Sequence, residues 1–379
     1  MLDFELTRRD FLKFSGASLF LAGLPINSYT QDKAPGNITV IILEGGLDGL
    51  ALAPPVGDPN LISFRKTLLP DNLLKINSFF GLHPSLKNLL NLIENNNASL
   101  VHATSFPYVK RSHFEGQNLI QGGGLSPFSQ TSGWLGRALE LAHTSASALS
   151  LEMPLILRGN SNNYNYFPAK IKNSKKINSD LLTNISAAHN KIDYEIFEKI
   201  KQKNTGISRN LPRDTLSLAK YAGKVMSKKD GPVASVIRIG QFDTHATQED
   251  RLSNRLSIVD KVISTYKESL GEAWNRSIIL TLTEFGRTVA ENGTLGTDHG
   301  YASAGIIAGG AISKGGVISD WPGISKGEQF EGRDLMSTID YRSVCAACIE
   351  KSLGLDHDLI ASKVFYSPKL PRIYDELFS

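Results

Sequence analysis

The chain has 379 residues, 41% of them apolar, with 41 basic against 37 acidic residues and a net charge of +4. The basic residues are scattered, which argues against a nucleic-acid-binding surface, and only two cysteines exclude a disulfide-stapled scaffold. That length and apolar content suit one large α/β unit with insertions.

Thr7-Arg8-Arg9-Asp10-Phe11-Leu12-Lys13 is a twin-arginine motif, and an apolar run follows it from Phe14 to Ile26. A charged front before a short apolar middle reads as an export signal over residues 1–30, too short for an ordinary membrane span. No A-x-A site precedes Gln31, so cleavage near Thr30 and retention as a membrane anchor both stay open. The expected location is periplasmic or extracytoplasmic, with the twin-arginine translocase as partner in export. Membrane contact is expected only if the segment is kept.

Residues 31–379 are expected to form the folded unit. Asn37 to Leu43 is a continuous, β-branched run that predicts a central parallel strand, and it empties into Glu44-Gly45-Gly46-Leu47-Asp48-Gly49. Helical spacing covers Ser85 to Asn96, and a strand is predicted over Ala98 to Ala103. Ser112 then opens a helix, where it serves either as an N-cap or as a hydroxyl in an anion-favouring field. A helix is predicted over Gly133 to Leu149. From about 158 to 210 the composition turns to Asn, Lys and Ser, an insertion or lid over the sheet.

Helical spacing resumes over Arg213 to Met226, and the strand Val233 to Ile239 ends in Phe242-Asp243-Thr244-His245. The spacing of Asp243 and His245 puts both on one face of an extended segment, as partners in a hydrogen bond or on a metal. After a helix over Leu252 to Trp274, the buried strand Ser277 to Thr283 breaks into Glu284-Phe285-Gly286-Arg287 and then Gly296-Thr297-Asp298-His299-Gly300. Further strands are predicted over Ser303 to Ala308 and Gly316 to Ser319, with a last helix over Asp334 to Leu353. Cys345 and Cys348 fall on the apolar face of that helix and are expected to pack as small hydrophobes. Alternating strands and helices predict an α/β sandwich with a mostly parallel sheet.

Strand ends thus offer Asp48, Asp243, His245, Glu284, Asp298 and His299. Carboxylates and imidazoles without thiolates suit a divalent metal, one or two ions, with zinc or manganese favoured and magnesium or calcium still open.

Taken together, the segments around Asp48, Arg111-Ser112-His113-Phe114, Asp243, Glu284 and Asp298-His299 resemble the DUF1501 family of exported bacterial proteins. The resemblance spans nearly all of residues 31–379. It implies the alkaline phosphatase and sulfatase superfamily, and with it a three-layer α/β/α sandwich whose metal sits at the strand ends. By that analogy Asp48, Asp298 and His299 hold an ion that activates Ser112 as nucleophile, and Asp243 with His245 belong to a second ion. Arg111 or Arg287 would neutralise substrate oxygens.

Three details depart from the superfamily's pattern. Asp243-x-His245 is tighter than the usual Asp-x-x-x-His. No last His follows His299 except His357, so a second ion is either missing, weak, or completed by Glu284, His83 or His113. Glu44 competes with Asp48 as the first-strand ligand. The implied function is an exported metal-dependent hydrolase of a phosphate, phosphonate or sulfate ester, small or polymer-borne. The alternative is a degenerate, metal-stabilised binding or assembly protein on the same fold.

Overall fold

The computed structural model describes residues 36–166 and 214–379. The twin-arginine segment lies outside the described residues, as does most of the Asn/Lys-rich stretch between 158 and 210. In chain order the strands are β1 (Asn37–Leu43), β2 (Leu74–Lys75), β3 (Gly81–Leu82), β4 (Ala98–Ser105), β5 (Ala146–Ala148), β6 (Tyr164–Asn165), β7 (Ala234–Ile239), β8 (Ser277–Leu282), β9 (Ser303–Ala308), β10 (Gly316–Ile318) and β11 (Ile339–Asp340). The helices that matter here are α1 (Gly49–Leu52), α2 (Leu61–Phe64), α3 (Lys87–Glu94), α4 (His113–Gly122), α5 (Trp134–Leu141), α6 (Thr215–Met226), α7 (Gln248–Leu270) and α8 (Tyr341–Leu353).

The main sheet runs β10-β4-β9-β8-β1-β7-β5-β6, with β11 paired to the end of β4. β1 is buried at every position and parallel to both neighbours, Val40 standing between Val236 and Leu280. Among the strands of this sheet, only β9 runs antiparallel to its neighbours. Alternate residues of each strand point to opposite faces. Ile38, Val40 and Ile42, with Ile278, Leu280 and Leu282, pack on Trp134 and Leu135 of α5 and on Val344, Cys345 and Cys348 of α8. Ile41, Leu43 and Ile279 pack on the other side against Leu89 of α3, Ala219 and Ala222 of α6, and Leu252, Leu256 and Val259 of α7. Each such side chain contributes roughly 1.5–3 kcal/mol by leaving water. The result is the expected three-layer α/β/α sandwich with a mostly parallel sheet. Among the described residues, no helix is long and apolar enough to cross a membrane.

Two predicted helices are shorter than their apolar spacing implied. The one expected from Gly133 to Leu149 stops at Leu141, and Ala146–Ala148 becomes β5. His143 has φ +50°, which ends the helical path, and the small residues that follow fit a buried slot beside β7. The helix expected from Asp334 starts only at Tyr341, where the Asp340 carboxylate accepts from Arg342 N. Upstream, Asp334 pairs across the carboxyl edge of the sheet with Thr288 and Phe330. Cys345 and Cys348 are buried and unbridged, as expected.

Candidate metal centre

Because β9 is antiparallel to both β4 and β8, the carboxyl end of β4 opens on the same edge as those of β1, β7 and β8. The loops at that edge are tightly fitted. A Cβ on Gly45 would lie 2.3 Å from Asp243 N, and Gly45 itself has φ +122°, so only glycine lets the β1 and β7 loops pass. Asn292 ties the β8–β9 loop by donating to the His245 carbonyl at 2.9 Å and accepting from Thr294 N and Gly296 N.

Three imidazoles and one carboxylate converge there. Asp243 Oδ1 lies 3.0 Å from His245 Nε2 and 3.2 Å from His299 Nε2, and Oδ2 lies 3.5 Å from His113 Nε2. The two Nε2 atoms of His245 and His299 are 3.0 Å apart. Ligand atoms on a tetrahedron with bonds of about 2.0–2.1 Å stand roughly 3.3 Å apart, so these spacings fit a zinc-sized ion. His113, Asp243 and His299 each turn one ligand atom to a common point, all within 4.8 Å of one another.

The opposite ring nitrogens fix the tautomers. His113 Nδ1 is 2.7 Å from Glu284 Oε1, His245 Nδ1 is 3.0 Å from Asp298 Oδ1, and His299 Nδ1 is 3.0 Å from the Arg111 carbonyl oxygen. Carboxylates and carbonyls only accept, so each Nδ1 donates to its partner, and with a cation at the centre each Nε2 would turn its lone pair inward. His113 Nε2 is buried and has no hydrogen-bond partner. Inward lone pairs beside a carboxylate repel one another until a cation or protons fill the space between them. Metal-ligating histidines hold their other nitrogen in this way.

Electrostatics separate the four groups. The Glu284 hydrogen bond raises the pKa of His113, whereas burial lowers that of His299. Burial opposes the charge on Asp243, but Arg287 outweighs it and holds the carboxyl below the ordinary value. The His245 hydrogen bond does the same for Asp298. Phe285 backs the cluster, its ring centroid 4.9 Å from that of His113 and 4.8 Å from that of His299.

Of the residues picked out in the sequence, Asp243, His245 and His299 come together, and His113 joins them. Glu284 and Asp298 stand one shell behind, each holding an imidazole. Asp48 does not reach the cluster. It is 1% exposed, and its oxygens accept from Arg65 Nη1 at 2.6 Å, Arg65 Nη2 at 3.1 Å, Gln248 Nε2 at 2.5 Å, and the N–H groups of Leu50 and Ala51. Every lone pair is spoken for.

Glu44 is paired with Arg238 and also stays apart. Arg287 is a buried brace, donating to the carbonyls of Gly45, Gly46, Phe242 and Thr297 and to Asp243. Arg111, expected to face substrate, is held by Glu331 and by the buried Asp334, and its own carbonyl orients His299. His83 and His357 lie elsewhere, His83 Nδ1 accepting from Ser85 N and His357 donating to the Leu370 carbonyl. Arg333 was missed. Half-exposed, it donates to the His299 carbonyl at 2.6 Å, and the sequence around it read only as the approach to a helix.

Residues 67–345 match the family described as protein of unknown function DUF1501. The chain belongs to the DUF1501 family. No curated protein matches it in sequence. Among solved structures, this DUF1501 chain is similar to the C-terminal periplasmic domain of EcEptC from Escherichia coli, at 10% identity and a TM-score of 0.43, over 91% of this chain and 88% of that one. It is also similar to the lipoteichoic acid synthase LtaP from Listeria monocytogenes, at 10% identity and a TM-score of 0.42, over 90% and 79%. A third is a protein in the alkaline phosphatase superfamily from Vibrio parahaemolyticus, at 13% identity and a TM-score of 0.37, over 76% and 63%. Likeness of this depth transfers neither substrate nor mechanism to the DUF1501 chain.

Proposed function

We propose that the protein is an exported, metal-dependent hydrolase of a phosphate, phosphonate or sulfate ester. The observation that carries this is the convergence of His113, Asp243 and His299 on one point, with His245 Nε2 3.0 Å from both Asp243 Oδ1 and His299 Nε2 and every Nδ1 facing an acceptor. An imidazole-rich set suits zinc first and manganese next, whereas magnesium and calcium prefer oxygen ligands. One cluster of this kind is present among the described residues, which favours one ion over the two of the analogy. When bound, such an ion supplies Lewis-acid polarisation of an ester oxygen and lowers the pKa of a coordinated nucleophile.

Ser112 is the proposed nucleophile. It precedes His113 at the start of α4 and its hydroxyl makes no capping hydrogen bond, so the oxygen is not committed to holding the helix. The unpaired N–H groups of the first turn favour the anionic ester beside it. Attack forms the Ser112 Oγ bond to phosphorus or sulfur and expels the alcohol, and water then releases the acid. Arg111 and Arg287 are engaged in the framework. Arg333, though it too pairs with Asp334 and the His299 carbonyl, is the most exposed of the three guanidinium groups and the one proposed to meet the ester's oxygens. Export by the twin-arginine route belongs to the same proposal, on residues 7–13.

The engagement of both arginines also favours a second function, a metal-stabilised binding or assembly protein without catalysis. Elemental analysis and a panel of phosphomonoesters, phosphodiesters and sulfate esters separate the two. The hydrolase requires about one equivalent of metal and turnover that Ser112→Ala abolishes while metal stays bound. A protein that neither carries nor takes up metal would overturn both. Metal without turnover on any ester would leave the second, and unchanged turnover in Ser112→Ala would remove the nucleophile.

A further inference from the structure

Phe114 directly follows His113 on α4, yet its ring is 76% exposed. Phe128, from the loop after α4, stands beside it with ring centroids 5.2 Å apart and is itself 53% exposed. Phe128 has φ +59°, a left-handed conformation unfavourable for a bulky side chain, and the Asn118 side-chain oxygen holds its N–H at 2.6 Å. A strained backbone at Phe128 thus sets its ring beside that of Phe114 in solvent, which points to a binding surface rather than to packing.

The rings line a groove of about 720 Å³ together with amides of α4, Gln130, Arg158 and an apolar stretch over residues 153–155. Small-ligand sites span about 300–1,000 Å³. Gln117 joins the groove to the metal centre, since its Nε2 lies 3.4 Å from the Glu284 oxygen that holds His113. His113 and Gln117 are four residues apart, about 6 Å along the helix axis. Arg238 also lines the groove but is paired with Glu44, and Glu152 in the lining offsets Arg158, so the walls carry little net positive charge.

Recognition must then come from aromatic faces and from the amide atoms not engaged in the hydrogen bonds of the fold, Gln117 Oε1, Asn118 Nδ2 and the Gln130 side chain. An acyl chain would suit the apolar stretch over residues 153–155 but would leave the free amide atoms facing hydrocarbon, which is costly. A pyranose matches both features: its axial C–H face stacks on a ring, and its hydroxyls, donors and acceptors at once, pair with amides. We propose that the groove is a saccharide subsite, which holds the sugar next to an ester-bearing one while the ester lies at the metal centre. Only the placing of the ester rests on the hydrolase proposal above.

Affinity electrophoresis of the metal-loaded protein tests this, through gels containing chondroitin sulfate, carrageenan, or dextran sulfate, each beside its desulfated form. At least one polymer should retard the protein in both forms. Phe114→Ala should weaken that retention roughly three- to tenfold with metal content unchanged, and Phe114→Tyr should restore it. Retardation by none of the polymers, or retention unaffected by Phe114→Ala, would overturn the subsite. His299→Ala keeps the two proposals apart: the subsite requires retention by the desulfated polymer to survive the loss of metal.

Discussion

Asp48 and Asp243 follow adjacent parallel strands, β1 and β7, and both sit in glycine-containing loops at the same edge of the sheet. Asp48 is enclosed, with a guanidinium, an amide and two backbone N–H groups on its oxygens. Asp243 has 44% of its side chain exposed and shares its carboxylate between buried Arg287 and three imidazoles. Position at a strand end is therefore not enough to make a ligand. The partner decides: Arg65, on the far side of α2, captures the first carboxylate for the framework, while Arg287 takes one oxygen of the second and leaves the other facing His113.

The largest effect should come from breaking the enclosed pair. Arg65→Met leaves Asp48 an uncompensated buried charge and should cost about 3–5 kcal/mol of stability in urea denaturation. Metal content of the folded fraction should be unchanged, and Asp48→Asn placed on top should return most of the loss. Loss of metal in either variant would mean that Asp48 takes part in the centre after all.

The same region sets the response to acid. Burial lowers the pKa of His83 and of His102 to about 4, although the nearby Asp48 charge opposes the shift. Between about 4 and the unfolded value near 6.5 the unfolded chain binds more protons than the native one. Stability should therefore be fully present above pH 6.5 and decline as pH falls towards 4, by roughly 3 kcal/mol at most for each imidazole. Denaturation midpoints across that range check the sign, and a flat profile would contradict the neutral burial of these rings.

At the open site the expected effects are smaller and fall on metal rather than on folding. Glu284→Gln keeps a hydrogen-bond acceptor for His113 Nδ1 but removes its charge. It should weaken metal binding by about 10–100-fold in chelator competition, with stoichiometry unchanged. Complete loss of the ion would make Glu284 a direct ligand.

Much of this was legible in the residues. The strands β1, β7, β8 and β9 announce themselves by unbroken apolar runs, and Asp243, His245 and His299 by their place after them. What stayed hidden depends on distant partners. Nothing around Asp48 shows that Arg65 will turn back onto it, nor that Arg287 will find four carbonyls to brace. His113 reads as one of several residues that could complete a second site, and only α4 laid beside Glu284 separates it from His83. The end of α5 was obscured because Ala146–Ala148 carry no apolar periodicity of their own, only sizes that fit beside β7.

Asp298 gives the finest discrimination. In the sequence it stands beside His299 and reads as a ligand of equal standing, but its side chain is 56% exposed and one oxygen serves His245 Nδ1 at 3.0 Å and Asn292 Nδ2 at 3.3 Å. Asparagine can accept the same bond from His245 with its side-chain oxygen, so Asp298→Asn removes charge while keeping the tautomer. As an orienting group, Asp298 should then cost less than about tenfold in metal affinity, at the low end of what outer-shell partners contribute. Its partner in the pair, changed by His299→Ala, should lose the ion outright with about 1 kcal/mol or less of apoprotein stability. Equal losses in the two variants would place Asp298 on the metal, shift the centre outward from Asp243, and return the Asp-His pair to the role that its sequence suggests.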